Sequence, residues 1–214
     1  MSVDTVIVDY GLGNLHSVHR ALSHCGASAV ICSNPTVVEN AKRLVLPGVG
    51  AFRDGMAQLT AAGMDIAIKR AVDQGAHILG ICLGMQLLFS CSEEYGLTSG
   101  LDLIPGRVVK LSPKKNNHSF LKVPHIGWNT LSTTNLQSSW SNRLLNDVPT
   151  DSAVYFVHSF VAIPEFFSHR LADCIYGDIA IPAVVGTRNV WGVQFHPEKS
   201  GEVGLKILRN FCKE

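Results

Sequence analysis

The hydrophobic positions in the first hundred residues form short continuous runs. Four runs rich in Val, Ile and Leu lie at 5–9, 27–31, 44–46 and 77–81. Segments with helical spacing separate them, and the longest of these, from 52 to 74, has predicted breaks at its glycines 55 and 63. Buried strands that alternate with helices predict a parallel sheet with helices on both of its faces.

The pattern changes in the second half of the chain. Extended runs at 153–160, 171–175, 183–187 and 190–195 follow one another with little helical spacing between them, which favours β hairpins. A helical pattern from Gly201 closes the chain. We therefore expect one α/β domain over 1–214, in which a mostly parallel central sheet flanked by helices carries additional β hairpins in the C-terminal half.

A cysteine between two glycines is the first candidate for chemistry. The segment Gly80–Gly84, with Cys82 at its centre, lies where a predicted strand ends. A helix with Met85, Leu88 and Phe89 on one face is predicted to follow. A nucleophile at such a strand-to-helix turn is typical of a nucleophile elbow, and the positive end of the helix would favour a thiolate. An unreactive core cysteine is the alternative, and this stretch alone does not decide between them.

A histidine and a glutamate follow the last extended run. Pro197 restricts His196 to extended backbone, and residues two apart on an extended chain face the same side. The spacing therefore predicts Glu198 beside the imidazole, where a carboxylate can fix the tautomer and orientation of the ring. His-x-Glu alone is a frequent coincidence, but with Cys82 it supplies a nucleophile, a base and an orienting acid.

Glycines also follow a proline in the turn Pro47–Gly50. They allow positive φ and backbone N–H groups that point outward, as in an anion or oxyanion cradle. An ordinary loop is the alternative.

Composition and charge exclude several classes of function. The 214 residues carry a formal net charge of +1 with acids and bases interspersed, which argues against non-specific nucleic-acid binding and against a basic membrane surface. No apolar run is long enough to span a bilayer, and no signal peptide is expected. Six scattered cysteines indicate reduced thiols in a cytoplasmic protein. No metal and no other cofactor is expected, because neither HExxH nor a Cys/His cluster occurs.

These motifs together resemble a known family. Gly80–Gln86 and Phe195–Glu198 are similar to the nucleophile and histidine motifs of the class I (triad) glutamine amidotransferases. Segments 9–15, 46–52 and 124–129 narrow the resemblance to the glutaminase subunits of imidazole glycerol phosphate synthases. The resemblance extends from the first predicted strand to the last predicted helix.

The resemblance implies a flavodoxin-like fold and a triad of Cys82, His196 and Glu198. The implied reaction is the hydrolysis of L-glutamine to glutamate and ammonia. A tetrahedral oxyanion needs two oriented donors, for which the resemblance points to Leu83 and the loop 47–50. The residues implied to bind the oxyanion or the substrate are Leu83, Val49, Gly50, Gln86, His158 and Ser159.

The resemblance also implies a heterodimer with a (β/α)8-barrel cyclase subunit. That partner uses the ammonia to make imidazole glycerol phosphate and an aminoimidazole carboxamide ribotide in histidine biosynthesis. An interface that excludes water would keep the ammonia unprotonated. Asn14, Trp128 and Lys199 are expected on the rim that faces the partner, and a core position is the alternative for Trp128.

Two departures from the family pattern leave the acceptor open. Phe160 stands where relatives often have tyrosine, and the stretch from Ser112 to Lys122 is longer than typical. Neither touches the triad. The alternative is a paralogous glutaminase that feeds a different synthase, for instance one that amidates a surface-polysaccharide sugar. A cysteine hydrolase or peptidase on the same elbow is a further alternative.

Overall fold

The computed structural model describes residues 5–112, 122–134, 139–140 and 142–214. The strands are β1 (Thr5–Val8), β2 (Ala29–Cys32), β3 (Arg43–Gly48), β4 (His77–Cys82), β5 (Phe89–Ser92), β6 (Thr98–Ser99), β7 (Ile104–Lys110), β8 (His125–Ser132), β9 (Ala153–His158), β10 (Phe160–Pro164), β11 (Arg170–Tyr176), β12 (Ile179–Thr187) and β13 (Val190–Val193). The α-helices are α1 (Leu15–His24), α2 (Pro35–Glu39), α3 (Phe52–Ala61), α4 (Met64–Asp73), α5 (Leu83–Leu87) and α6 (Gly201–Phe211). Short 3₁₀ helices lie at Arg143–Leu145, Phe167–His169 and Pro197–Lys199.

Nine strands form the central sheet, in the order β2-β1-β3-β4-β13-β12-β11-β8-β9. The first five of these are parallel to one another, and the remaining four continue the sheet in antiparallel pairs. A second sheet has the order β10-β7-β5-β6. The α/β fold class is confirmed, and the predicted hairpins form the antiparallel part of the central sheet.

Both faces of the inner parallel strands β1, β3, β4 and β13 are buried, which explains their continuous apolar runs. Within β1, Val6 packs in one core cluster with residues of α2–α5, whereas Ile7 packs in a second cluster with residues of α1 and α6. Helices therefore cover both faces, as the alternation predicts. No helix of the described residues is long and apolar enough to cross a membrane.

Two helix predictions are wrong. No break occurs at Gly55, because α3 continues to Ala61; a Cβ at this glycine would lie 3.3 Å from side-chain atoms of Leu83 and Leu87. The glycine therefore lets two helices approach closely. The helix after Cys82 ends at Leu87, and Phe89 begins strand β5 instead of lying on a helical face. A short apolar run fits either element equally well.

The predicted run at 153–160 is two strands, because β9 ends at His158 and β10 begins at Phe160. Likewise, β13 ends at Val193 instead of continuing to Phe195. The stretch from Ser112 to Lys122 lies for the most part outside the described residues.

Steric exclusion explains the glycine at position 84. A Cβ there would lie 1.8 Å from the carbonyl oxygen of Leu46, which is backbone and cannot rotate away. We expect Gly84→Ala to lower the free energy of unfolding by more than about 3 kcal/mol, measured from the urea midpoint.

The control for this effect is Gly26→Ala, at a position with φ +84 and open space around it. There only the backbone conformation is penalised, by about 1 kcal/mol. Equal losses in the two variants would contradict the steric explanation.

Candidate active site

Cys82 lies at the junction of β4 and α5. Its φ of 54° and ψ of −110° are values that residues other than glycine rarely adopt. A Cβ at Gly80 would lie 2.6 Å from the carbonyl oxygen of Gly84, so the turn is tight on both sides of the cysteine. A cysteine held in such a conformation between a strand and a helix is the geometry of a nucleophile elbow.

Three adjacent parallel strands bring the candidate groups to one edge of the sheet. Gly48 on β3 pairs with Cys82, so the loop that follows β3 begins beside the thiol. On the other side, Val193 of β13 pairs with Ile81, and His196 follows three residues later. Ligand sites of parallel sheets form at such carboxyl ends of strands.

His196 and Glu198 are in contact. Nδ1 of the imidazole lies 2.8 Å from Oε1 of the carboxylate, and the two side chains are 4% and 1% exposed. The predicted contact between His196 and Glu198 is therefore present. The predicted extended backbone is not, because residues 197–199 form a 3₁₀ helix. His196 itself is extended, as a residue before proline should be.

The backbone of His196 is fixed from two sides. Its N–H donates to the carbonyl oxygen of Tyr155 at 2.9 Å, and its carbonyl accepts from the Ser200 hydroxyl at 2.7 Å. The same hydroxyl oxygen accepts from the Tyr155 N–H at 3.0 Å. Hydrogen bonds to Tyr155 of β9 and to Ser200 therefore fix the backbone that carries the imidazole ring.

The electrostatics of the site favour a charged imidazole. Burial lowers the pKa of His196, but hydrogen bonding and charge interactions with Cys82 and Glu198 outweigh it and raise the pKa to about 9. The imidazolium is thus the favoured form near neutral pH. Nε2 of His196 is buried and has no hydrogen-bond partner of ordinary length among the described residues. This nitrogen is therefore free to interact with the thiol and with a substrate.

A cavity of about 750 Å³ opens over the thiol. Cys82 and His196 line it, whereas Glu198 lies behind the imidazole and not in the cavity wall. All residues assigned to the oxyanion and the substrate by resemblance line the same cavity: Leu83, Val49, Gly50, Gln86, His158 and Ser159. Gly50 has a φ of +105°, so the loop uses the freedom that its glycine provides.

His158 forms a buried pair with a second histidine that the sequence analysis did not single out as a site residue. Nε2 of His158 lies 3.0 Å from Nδ1 of His125, and Nδ1 of His158 donates to the carbonyl oxygen of Phe160 at 2.9 Å. Burial is the main cause that lowers the pKa of each ring to about 4. Both rings are therefore neutral at pH 7, and His158 acts as a fixed hydrogen-bonding group.

Glu94 is a cavity residue that sequence reasoning missed. Its side chain is buried, and Oε2 accepts a 2.7 Å hydrogen bond from the backbone N–H of Phe52 at the start of α3. The helix N-terminus stabilises the carboxylate there. The partners are 42 residues apart, so no local pattern could have indicated the contact. Lys110 lines the cavity as well and supplies a positive charge.

The residues predicted at a partner interface lie on the protein surface. Trp128 is 59% exposed, so the alternative of a core tryptophan is wrong. Its ring lies 6.1 Å from that of Tyr155, and Nζ of Lys199 lies 5.9 Å from the centre of the same Tyr155 ring. With the exposed Ile126 these residues form what we call the Trp128 surface. Asn14 is half-buried and precedes α1.

Comparison with known proteins agrees with this geometry. A family model described as glutamine amidotransferase class-I matches residues 6–214. A crystal structure of a glutamine amidotransferase, 19% identical, covers 100% of both chains with a TM-score of 0.72 and shares the fold. The chain therefore belongs to the class I glutamine amidotransferases.

Closer relatives are subunits of one enzyme. Imidazole glycerol phosphate synthase subunit HisH 1 of Legionella pneumophila (strain Paris) is 50% identical over 207 residues, which are 97% of each chain. Subunit HisH of Geobacillus sp. (strain WCH70) is 47% identical and covers 96% of this chain and 94% of its own. Within the class, the chain belongs to the HisH family.

Proposed function

We propose that the chain hydrolyses L-glutamine with a triad of Cys82, His196 and Glu198 and delivers the ammonia to the cyclase subunit of imidazole glycerol phosphate synthase. The observation that supports the triad most directly is the buried 2.8 Å contact of His196 with Glu198, in a site that His196 shares with an elbow cysteine. Identities of 47–50% over nearly the full length to HisH subunits support the pathway.

The first half of the reaction forms a thioester. The thiol proton of Cys82 passes to Nε2 of His196, and the thiolate attacks the γ-carboxamide carbon of glutamine. The resulting oxyanion needs donors that are already in place. Leu83, the residue after the nucleophile, supplies the first N–H, and the loop of Val49 and Gly50 supplies the second after a rotation of a peptide bond. His196 then protonates the leaving nitrogen, which departs as ammonia.

The second half regenerates the thiol. His196 removes a proton from water, hydroxide adds to the thioester carbon, and the C–S bond breaks to release glutamate. The proton on Nε2 returns to the sulfur of Cys82. Throughout, Glu198 holds the other ring nitrogen and stabilises the imidazolium.

The cavity offers a counter-group for each end of glutamine. The carboxylate of Glu94 suits the α-ammonium group, and the ammonium of Lys110 suits the α-carboxylate. Gln86 reaches the cavity with its amide group fixed by hydrogen bonds to Phe160 on β10 and to Gln194 just after β13. His158 and Ser159 complete the wall next to the thiol.

The Trp128 surface is proposed as the docking site of the barrel partner, together with Asn14. Aromatic side chains that pair apolar area with one polar group are typical interface anchors. Ile126 on this surface pairs in β8–β9 register with Val157, whose carbonyl contacts the thiol of Cys82. Ammonia that leaves through such an interface avoids protonation by water. We also propose one domain over 1–214 and a cytoplasmic site of action, the latter supported by six free cysteines.

We expect little glutamate release by the isolated chain and a large increase when the barrel partner and its ligand are added, because the loop at Gly50 settles only in the complex. Trp128→Ala should raise the partner concentration needed for half-maximal glutamate release by about tenfold or more. Titration of the partner against glutamate formation measures both effects.

Ile66→Ala is the matched control, because Ile66 is 57% exposed on α4, away from the Trp128 surface. It should leave the titration unchanged. High glutaminase activity without partner would contradict activation by complex formation. Co-purification with a different synthase, and not with the histidine-pathway cyclase, would favour the paralogous acceptor.

A further inference from the structure

Two buried glutamine side chains connect the cavity wall to the sulfur of Cys82. Gln194 is 0% exposed, and Gln86 is 5% exposed. Nε2 of Gln86 lies 3.2 Å from the carbonyl oxygen of Phe160 and 3.0 Å from Oε1 of Gln194. Nε2 of Gln194 in turn lies 3.8 Å from Sγ of Cys82. A continuous hydrogen-bonded path therefore ends on the reacting atom.

The carbonyl oxygen of Phe160 sets the orientation of both amides, because a carbonyl can only accept. Gln86 must direct its NH2 group toward it, and the second hydrogen of this group is donated to Oε1 of Gln194. With its oxygen occupied, Gln194 must turn its own NH2 group toward Cys82. Nδ1 of His158 donates to the same carbonyl, which holds the acceptor in place from another side.

Besides His196, the sulfur of Cys82 has two polar neighbours with opposite preferences. The carbonyl oxygen of Val157, at 3.8 Å, accepts from a thiol and repels a thiolate. The N–H of Gln194 donates, and a hydrogen bond to the charged form of a group favours that form. In a buried site, a donor that is already oriented stabilises charge without reorganisation.

We propose that Gln194 is a further catalytic residue, whose side-chain N–H stabilises the Cys82 thiolate, and that Gln86 is a positioning residue that holds this N–H on the sulfur. The role rests on the proposed function, in which Cys82 is the nucleophile. When the thiol proton moves to Nε2 of His196, the amide of Gln194 keeps its protons and accepts none.

The test measures the thiolate directly. The full-length chain is treated with iodoacetamide at about pH 7, and peptide mass spectrometry follows modification of Cys82 separately from the other cysteines. Gln194→Met, which keeps the size and removes the donor, should react at least about tenfold more slowly than the wild type. Gln86→Met, which frees the amide of Gln194 to rotate, should react about threefold more slowly.

The matched control is Asn210→Leu. It removes another buried amide, which donates to the carbonyls of Leu144 and Asn146 far from the thiol. Its alkylation rate should stay within about twofold of the wild type. Loosening of the fold would also remove the groups that favour a thiolate and slow alkylation, and Asn210→Leu measures that contribution. A similar slowing in Asn210→Leu would overturn the proposal.

The outcomes distinguish a failure of the proposed function from a failure of the role of Gln194. If alkylation of wild-type Cys82 leaves glutamine hydrolysis intact, the proposed function fails, and the role of Gln194 fails with it. If alkylation abolishes hydrolysis but Gln194→Met reacts as fast as the wild type, only the role of Gln194 is overturned. If Gln194→Met does not fold, Gln86→Met decides: an unchanged rate overturns the proposal, and slowing supports it.

Discussion

Cys82→Ala should lower glutamate formation by the complex with the barrel partner by at least about 10⁴-fold, because no other group can form the thioester. Alanine keeps the Cβ and accepts the same φ of 54° at the same cost as cysteine, so the elbow itself should persist. The loss is measured as glutamate released at saturating glutamine.

The control for this variant is turnover of the same complex with an ammonium salt in place of glutamine. That reaction needs no thiol and should proceed within about twofold of the wild-type rate. Glutamate release within a hundredfold of the wild type would remove Cys82 as the nucleophile. Loss of both reactions would indicate that the complex had not assembled.

Glu198→Gln should have the second-largest effect, a fall of about 10³- to 10⁴-fold in kcat with little change in KM. The amide keeps the shape of the side chain but no longer stabilises the imidazolium at Nδ1. Burial, the largest single cause, is then opposed by Cys82 alone, so the pKa of His196 falls from about 9. The imidazolium should then be lost at a lower pH than in the wild type.

Nuclear magnetic resonance of 13C-labelled histidines measures this change. The resonance of His196, identified by its absence in His196→Asn, should be that of a protonated ring at neutral pH in the wild type and should titrate at a lower pH in Glu198→Gln. An unchanged titration in the variant would mean that Glu198 does not set the charge of the ring.

The sequence predicts the parallel strands well and the helices around them less well. A buried strand such as β4 carries its signal locally, in a continuous apolar run. The wrong break at Gly55 has a different origin: the glycine is needed for contact with Leu83 and Leu87, and contacts between distant elements leave no local signal. For the same reason the local pattern predicts Phe89 on a helix, although Phe89 on β5 pairs with Ile104 on β7.

Some residues of the candidate site are likewise predicted from local motifs, whereas others are not. The nucleophile and the histidine–glutamate pair are predicted from the motifs around Cys82 and His196, because each motif consists of a few residues that are adjacent in sequence. Their cavity neighbour Glu94 and the amide path through Gln194 depend on tertiary contacts of 42 and 112 residues in sequence separation. Such groups become visible only when the strands are placed side by side.

The position of β13 beside β4 has a consequence for the synthesis of the protein. Val193 pairs with Ile81, so His196 reaches Cys82 only after the chain has been made beyond residue 196. Parallel pairing over such a separation forms late in folding, after the local helices and strands. A nascent chain that still lacks β13 therefore carries Cys82 without the base that we propose for it. With the proposed triad, such a chain cannot release ammonia before Lys199 of the Trp128 surface has been made.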